Sequence, residues 1–213
     1  MANADSDVPD PSARAALLLI DVQVDFFPGG ALPVPAGDRV IPALNRAIAR
    51  FRAKGRPIYA SRDWHPADST HFRIFGGPWP IHCVAGTRGA AFHPDIDLPA
   101  ETIVISKGIG RTDDGYSDFE GVNDRGQSFL HDLRQHGVDC LYVGGLATDY
   151  CVRATVLDAR REGLDVMVLV DGVAGLGADD TRRAFEEMLA AGATLVGKDE
   201  VDKSTPRSRE HTP

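Results

Sequence analysis

Short apolar runs alternate along this chain with longer segments whose apolar residues recur at helical spacing. Six runs have the length of a strand: residues 15–20, 57–60, 102–106, 140–144, 166–170 and 194–196. Runs that are apolar throughout suit strands buried on both faces. The order of elements therefore predicts an α/β fold, a single-domain doubly wound sheet that is mostly parallel, about six-stranded and flanked by helices on both faces.

The segments between these runs predict the connecting helices. Apolar residues recur at intervals of three and four in residues 40–54 and 125–135. Two further helices are expected, one running from Thr148 or Asp149 to about residue 162, the other from Asp179 or Asp180 to near residue 192. Those polar residues are the expected N-caps, since their side chains can accept hydrogen bonds from the first turn.

One folded unit accounts for most of the 213 residues. We expect a domain at 14–198 between loose polar tails at 1–13 and 199–213. A formal net charge of −8 argues against a nucleic-acid or anionic membrane surface. The apolar runs are too short to cross a bilayer, we see no signal peptide, and three cysteines form no disulfide framework. The cytoplasm is therefore the expected location.

Three reactive side chains fall at the predicted carboxyl ends of strands, where doubly wound folds place their sites. Asp21 directly follows the first strand, Lys107 directly follows the third, and Cys151 comes shortly after the fourth. Each has an ordinary alternative explanation, as a loop carboxylate, a solvated charge or a small core residue. Their coincidence at one sheet edge favours a shared chemical role.

Together these three residues can carry out nucleophilic catalysis without a histidine. Cys151 would lie in the first turn of a helix, where the helix dipole and unpaired N–H groups favour a thiolate. Asp21 is the expected general base, and Lys107 would stabilise both anions. Of the remaining cysteines, Cys140 indicates core packing within a strand, and Cys83 is expected beside the site without being the nucleophile.

The stretch 61–101 does not follow the alternation, and a loop this long within a compact domain is usually functional. Asp63 and His65 are two residues apart, so an extended backbone places their side chains on one side. His71 and His82 follow in the loop. One carboxylate and three imidazoles suit Zn²⁺, Fe²⁺ or Mn²⁺. The alternative is four unrelated loop residues with exposed histidines.

Five motifs stand in order along the chain: LLLIDVQVDFFPGGAL at 17–32, SRDWHPADSTHF at 61–72, WPIHCVAGT at 79–87, SKGIGRTDDGYSDFEG at 106–121 and GGLATDYCVRAT at 144–155. Together they resemble the isochorismatase-like cysteine hydrolases, and among these the nicotinamidases, also called pyrazinamidases. The resemblance extends from about Ala15 to Gly197. One motif alone would be weak, whereas five in this order are specific.

The resemblance implies a role for each matching residue. The catalytic triad would be Asp21, Lys107 and Cys151. One divalent metal ion would be held by Asp63, His65, His71 and His82. The Leu146–Ala147 bond matches a non-proline cis peptide, and the oxyanion hole would be the backbone N–H groups of Ala147 and Cys151. The aromatic residues that would enclose the pyridine ring are Phe26 and Trp79.

The chain departs from the family pattern at two places. Val24 stands where asparagine is common, and the spacing between Lys107 and Tyr116 does not match a fixed family length. We therefore transfer no substrate role to Tyr116. Neither departure touches the implied triad or metal ligands, but both bear on substrate preference.

The resemblance implies a metal-dependent amidohydrolase that deamidates nicotinamide, and also pyrazinamide, through a thioester. Its partner would be a small carboxamide, its context NAD salvage, and a homo-oligomer is compatible with the family. One alternative is hydrolysis of another small amide or a vinyl ether by the same triad, for which a metal-free active protein would argue. A second is a non-catalytic metal-binding or thiol protein, which the intact triad and the lack of a C-x-x-C pair disfavour.

Overall fold

The computed structural model describes residues 11–197, so most of the first predicted tail and all of the second lie outside the described residues. The strands are β1 (Ala15–Ile20), β2 (Ile58–Asp63), β3 (Ile103–Lys107), β4 (Val122–Asn123), β5 (Cys140–Leu146), β6 (Asp165–Ala174) and β7 (Thr194–Val196). The α-helices are α1 (Val40–Ala53), α2 (Phe129–Gln135), α3 (Arg153–Arg161) and α4 (Ala178–Ala190). Within this described part, no helix has the length and apolar character that a membrane crossing requires.

The strands form one seven-stranded sheet in the order β4-β3-β2-β1-β5-β6-β7. Every neighbouring pair is parallel except β3 and β4. The predicted doubly wound, mostly parallel sheet is confirmed, and the expected count of about six misses only β4. That edge strand has two residues and leaves no apolar run for the sequence to show. The chain order reverses between β1 and β5, which makes this the switch point where such folds bind ligands.

The core lies on both faces of the sheet, as the apolar runs predicted. On one face α1 packs Leu44 and Phe51 against the sheet, and both side chains are fully buried. On the other face α2, α3 and α4 contribute Phe129, Val156 and Met188, which are equally buried. Burying each large apolar side chain contributes about 1.5–3 kcal/mol. The site is thus built on a sheet that is fixed from both sides.

The helix at 125–135 begins later than predicted. The side-chain oxygen of Asn123 accepts the N–H groups of Arg125 at 2.9 Å and Gln127 at 3.0 Å, which closes a turn. A side chain that captures backbone donors in this way competes with helix formation. The helix α2 therefore starts at Phe129, after Ser128 has capped it by accepting the N–H of His131.

The predicted caps of the last two helices are wrong. Neither Thr148 nor Asp149 caps a helix. After β5 the chain forms a π-turn at Thr148–Val152, whose N-cap is Ala147, and α3 begins only after this turn. Nor do Asp179 and Asp180 cap α4, since both lie in its first turn and Gly177 is the N-cap. The carboxylate of Asp149 instead accepts backbone N–H groups from the segment that leads into α4.

Candidate active site

The three predicted reactive residues meet at the carboxyl edge of the sheet. Asp21 directly follows β1, as expected, and adopts a positive φ of 51°. Lys107 is the last residue of β3, whereas the prediction placed it directly after the strand. Cys151 lies in the π-turn after β5. Asp21 and Lys107 are fully buried and Cys151 is 7% exposed.

The Lys107 ammonium is the centre of this cluster. Its Nζ donates to Asp21 Oδ2 at 2.7 Å, to Asp63 Oδ1 at 2.5 Å and to the Gly115 carbonyl at 2.8 Å. The same nitrogen lies 3.5 Å from the Cys151 sulfur. A buried ammonium needs such partners, because its isolated charge would be very costly away from water. Burial would lower the pKa of Lys107, but the Asp21 and Asp63 carboxylates raise it well above its ordinary value.

Burial opposes the thiolate that the predicted helix N-terminus would favour. Burial raises the pKa of Cys151 well above its ordinary value, and the Asp21 charge adds to this, while Lys107 opposes it only in part. Burial also raises the pKa of Asp21 to about 6, against the opposing effect of Lys107. Both directions favour a Cys151 thiol hydrogen-bonded to Asp21. A carboxylate whose pKa lies close to neutrality can both take and return a proton.

Two further buried groups surround Asp21. The Ser61 hydroxyl donates to Asp21 Oδ1 at 2.9 Å, which fixes the carboxylate that faces the sulfur. Asp118 is fully buried nearby, and neither of its carboxyl oxygens has a hydrogen-bond partner in residues 11–197. Burial, reinforced by the Asp21 charge, raises the pKa of Asp118 well above its ordinary value. Lys107 opposes this shift only in part, so burial has the dominant influence on the pKa of Asp118.

The predicted metal ligands form a second cluster beside the first. His65, His71 and His82 are buried and offer ring nitrogens that lie within 4.8 Å of one another. Asp63 Oδ2 lies 3.7 Å from His65 Nε2 and 3.8 Å from His82 Nε2. The alternative of exposed, unrelated histidines is thereby excluded. Three imidazoles and a carboxylate are the donor set of a first-row divalent ion.

Hydrogen bonds fix the orientation of the three rings. The Nδ1 atom of His65 lies 3.1 Å from the Gly108 carbonyl, that of His82 lies 2.8 Å from the Pro80 carbonyl, and that of His71 lies 3.3 Å from Asp114 Oδ1. A carbonyl accepts only from a protonated Nδ1, so Nε2 carries the lone pair in His65 and His82.

The ring nitrogens of this cluster are free to bind a metal ion. In the described chain, His65 Nε2 is buried without a hydrogen-bond partner. Burial also lowers the pKa values of His71 and His82, which keeps both rings neutral. A buried nitrogen without a donor is costly unless a ligand engages it. The residues therefore fit a divalent metal ion.

Asp63 joins the two clusters. Its Oδ1 accepts from Lys107, and its Oδ2 faces the histidines. Burial would raise the pKa of Asp63, but Lys107, His65 and His82 together outweigh burial and hold it below its ordinary value. Gln23 fixes the backbone of Asp63 from both sides, because its Oε1 accepts the Asp63 N–H at 2.8 Å and its Nε2 donates to the Asp63 carbonyl at 2.8 Å. The metal cluster and the triad thus share one rigid carboxylate.

A pocket of about 390 Å³, including its open mouth, leads to both clusters. Its walls include the predicted residues Phe26, Trp79, Ala147 and Cys151, together with Asp63, His71 and His82. The Leu146–Ala147 peptide is cis, as the resemblance implied. Prediction missed the remaining walls, which are Leu32, Val34, Asp114, Tyr116, Tyr150 and Leu176. An aromatic, mostly apolar pocket with a few polar groups suits a small planar ligand.

The segment 108–116, which matched no fixed family spacing, proves to hold the site together. Its Gly108 carbonyl orients His65, its Gly115 carbonyl accepts from Lys107, and its Tyr116 hydroxyl accepts from Trp79 Nε1 at 2.9 Å. Its position directly after Lys107 was the one signal that could have pointed to these roles. Two of these three roles rest on backbone carbonyls, which leave no mark in the residue types.

The remaining two cysteines fall where the sequence placed them. Cys140 lies in β5 and is partly buried. Cys83 is fully buried beside His82, and its N–H donates to Asp25 Oδ2 at 2.7 Å. Burial raises the pKa of both thiols, to about 11 for Cys140. In the described residues it is the Cys151 sulfur that lies 3.5 Å from the Lys107 ammonium.

A family model described as the Isochorismatase domain matches residues 15–200. The chain belongs to the isochorismatase family. The match covers nearly all of the described fold, including both clusters and the pocket, so the family resemblance of the five motifs is confirmed.

This isochorismatase-family chain is similar to proteins with named activities. It is 43% identical over 198 residues to a nicotinamidase from Escherichia coli, with 84% of this chain and 93% of the relative covered. It is 45% identical over 187 residues to a nicotinamidase/pyrazinamidase from Mycobacterium tuberculosis, with coverage of 85% and 97%. The solved structure of a pyrazinamidase of Pyrococcus horikoshii in complex with zinc superposes with a TM-score of 0.81 at 47% identity, covering 87% of this chain and 99% of that one.

Proposed function

We propose that this chain is a metal-dependent cysteine amidohydrolase that deamidates nicotinamide, and also pyrazinamide, to the acid and ammonia. The observation that carries the proposal is Asp63, whose two oxygens face the histidine cluster and the Lys107 ammonium of the triad. A ligand anchored at the histidines therefore lies beside the Cys151 sulfur. Relatives named nicotinamidase at 43% and 45% identity support the same activity.

The first half-reaction forms a thioester. Asp21 takes the proton from Cys151, and the sulfur attacks the carboxamide carbon, so that a C–S bond forms and the carbonyl π electrons move to oxygen. The N–H groups of Ala147 and Cys151 would hold this oxyanion, where each donor contributes about 3–4 kcal/mol. When the carbonyl re-forms, the C–N bond breaks and Asp21 returns its proton to the departing nitrogen, which leaves as ammonia.

The second half-reaction releases the acid. Asp21, again a carboxylate, takes a proton from water as the water oxygen attacks the thioester carbon. Collapse of this second tetrahedral intermediate breaks the C–S bond, and Asp21 returns the proton to the Cys151 sulfur. Lys107 remains charged throughout, since the raised pKa that its two carboxylate partners impose keeps its proton in place. It balances the negative charge as that charge moves between Asp21 and the sulfur.

The metal site would select the substrate. We assign as ligands Asp63, His65, His71 and His82, a donor set suited to Zn²⁺, Fe²⁺ or Mn²⁺. When bound, the ion would supply a Lewis-acidic anchor for the ring nitrogen of a pyridine or pyrazine carboxamide. Phe26 and Trp79, which line the pocket, would enclose the ring. Anchoring of this kind holds the amide carbon near the sulfur, and positioning can supply several kcal/mol of the barrier.

Ammonia release from nicotinamide tests the proposal. We expect wild-type protein to release ammonia, and the Cys151→Ala variant to release none while binding metal normally. The Cys140→Ala variant is the matched control, because it removes a second partly buried thiol that lies away from the pocket. A fully active Cys151→Ala variant would show that the assigned nucleophile is wrong.

Metal removal separates this activity from hydrolysis of another amide or a vinyl ether. Turnover of nicotinamide should fall on chelation and return with Zn²⁺, Fe²⁺ or Mn²⁺. Folded protein that hydrolyses a different small amide equally well without metal would favour the alternative. We further propose a cytoplasmic location within NAD salvage, supported by three free thiols in the described chain.

A further inference from the structure

The carboxylate of Asp149 lies two residues before the nucleophile but points away from it. Its Oδ1 accepts the Leu176 N–H at 3.1 Å, and its Oδ2 accepts the N–H groups of Leu176 and Gly177, both at 3.1 Å. Leu176 and Gly177 lie in the segment between β6 and α4, distant in sequence from the π-turn. One 8%-exposed carboxylate thus binds the turn that carries Cys151 to a separate loop.

That loop forms one wall of the pocket. The Leu176 side chain lines the pocket and packs against the buried cluster that includes Phe26. The backbone N–H of the same leucine is the group that Asp149 holds. The position of the wall relative to the sulfur therefore depends on these hydrogen bonds, which are stronger than neutral ones because the acceptor is charged.

The packing around the loop leaves little room for another arrangement. A side chain at Gly175 would lie 3.1 Å from Asp149 Oδ1 and would collide with the Thr181 hydroxyl. Gly177 is the N-cap of α4 and has no side chain that could cap the helix, and the Asp149 carboxylate accepts the backbone N–H of this residue from across the fold. The same carboxylate therefore fixes both the start of α4 and the residue before it.

We propose that Asp149 is a positioning residue that sets the width of the substrate pocket by holding Leu176 at a fixed distance from the Cys151 turn. The inference rests on the proposed amidase function for its kinetic consequence. It concerns binding of the ring and leaves the chemistry at the sulfur to the triad. Loss of the carboxylate should therefore weaken substrate binding far more than it slows turnover.

The test compares Asp149→Ala, Asp149→Asn and Leu176→Ala with wild type. With nicotinamide we expect Asp149→Ala to raise KM about tenfold while kcat changes less than about threefold, the size of effect that a lost apolar wall contact produces. Asp149→Asn keeps one carbonyl acceptor and should recover part of the loss. The double variant of Asp149→Ala and Leu176→Ala should show less than the sum of the two effects, because both remove the same wall.

Hydrogen exchange gives a second result that does not depend on activity. Amides of Leu176 and Gly177 should exchange faster in Asp149→Ala, whereas Asp179→Asn, which alters an exposed carboxylate in the first turn of α4, should leave them unchanged. Unchanged exchange together with an unchanged KM would overturn the inference. If Asp149→Ala does not fold, the same two assays on Asp149→Asn test the inference. If wild type fails to turn over nicotinamide, the proposed function is refuted, and the hydrogen-exchange result still tests whether Asp149 holds Leu176 in place.

Discussion

Replacing Gly108 by alanine should disable the metal site without touching a metal ligand. Gly108 adopts a φ of 63°, and its carbonyl accepts from His65 Nδ1. A Cβ at this position would lie 2.6 Å from His65 Nδ1 and nearer still to Cε1 of the same ring. The ring is fully buried, so it has no open space into which it can move.

The size of the effect follows from these distances. Restoring an ordinary contact of 3.4 Å from 2.6 Å requires His65 Nδ1 to retreat by about 0.8 Å, and the nearer Cε1 must retreat further. Metal–ligand bonds tolerate deviations of only about 0.2 Å, so His65 would no longer bind in register with the other ligands. We expect metal affinity to fall about 10–100-fold or more, as it does when an outer hydrogen bond to a ligand is lost. The left-handed backbone adds about 1–2 kcal/mol of destabilisation.

The assay is a zinc-binding titration against a competing chromophoric chelator, together with urea unfolding of the metal-free protein. Gly137→Ala is the matched control, because Gly137 has a φ of 65° and a Cβ there would meet nothing within 4 Å. Both variants share the backbone cost, and only Gly108→Ala has the collision. Equal zinc affinity in the two variants would refute the assignment of Gly108 as the residue that seats His65.

Two further predictions concern buried carboxyl groups. Burial raises the pKa of Asp21 to about 6, and the protonated carboxyl group cannot take the thiol proton. We therefore expect kcat/KM to fall about tenfold per pH unit below pH 6, and a pH profile that is flat down to pH 4 would contradict the role of Asp21. The pKa of Asp118 is raised in the folded state above its ordinary 3.8, so the free energy of unfolding of wild type should decline relative to that of Asp118→Asn as pH rises above about 4. Urea unfolding of both proteins at pH 4 and pH 8 tests this, and the same difference in unfolding free energy at both pH values would contradict it.

Much of the fold could be predicted because its strands are apolar on both faces. The bounds of β1 and β7 match their apolar runs, and the helices on both faces follow from the alternation. The edge strand β4 escaped prediction, since two residues carry no periodicity. The caps were predicted wrongly for a physical reason: a carboxylate such as that of Asp149 can satisfy backbone donors anywhere within reach, and sequence spacing shows only the local choice.

The candidate site divides in the same way. Asp21, Lys107 and Cys151 could be brought together from strand ends, because the fold fixes where those ends lie. The protonation state of the thiol could not be predicted, since it depends on burial and on the charge of Asp21. The position of Leu176 in the pocket wall could not be predicted from the sequence either, because it depends on a hydrogen bond to Asp149, which is distant in sequence.

The segment 108–116 has two ends that are fixed at the site and an exposed middle whose length the site does not constrain. Its two ends touch, since a Cβ on Gly115 would lie 2.7 Å from the Gly108 Cα, and each end supplies a carbonyl to the site. Ile109 and the residues from Arg111 to Asp113 between them are exposed. Residues inserted at Thr112 would therefore extend into solvent, while the contact between Gly108 and Gly115 keeps the carbonyls of both glycines in place. This is the position at which the protein can be lengthened, by evolution or by a designer attaching a new recognition element at the rim of the pocket.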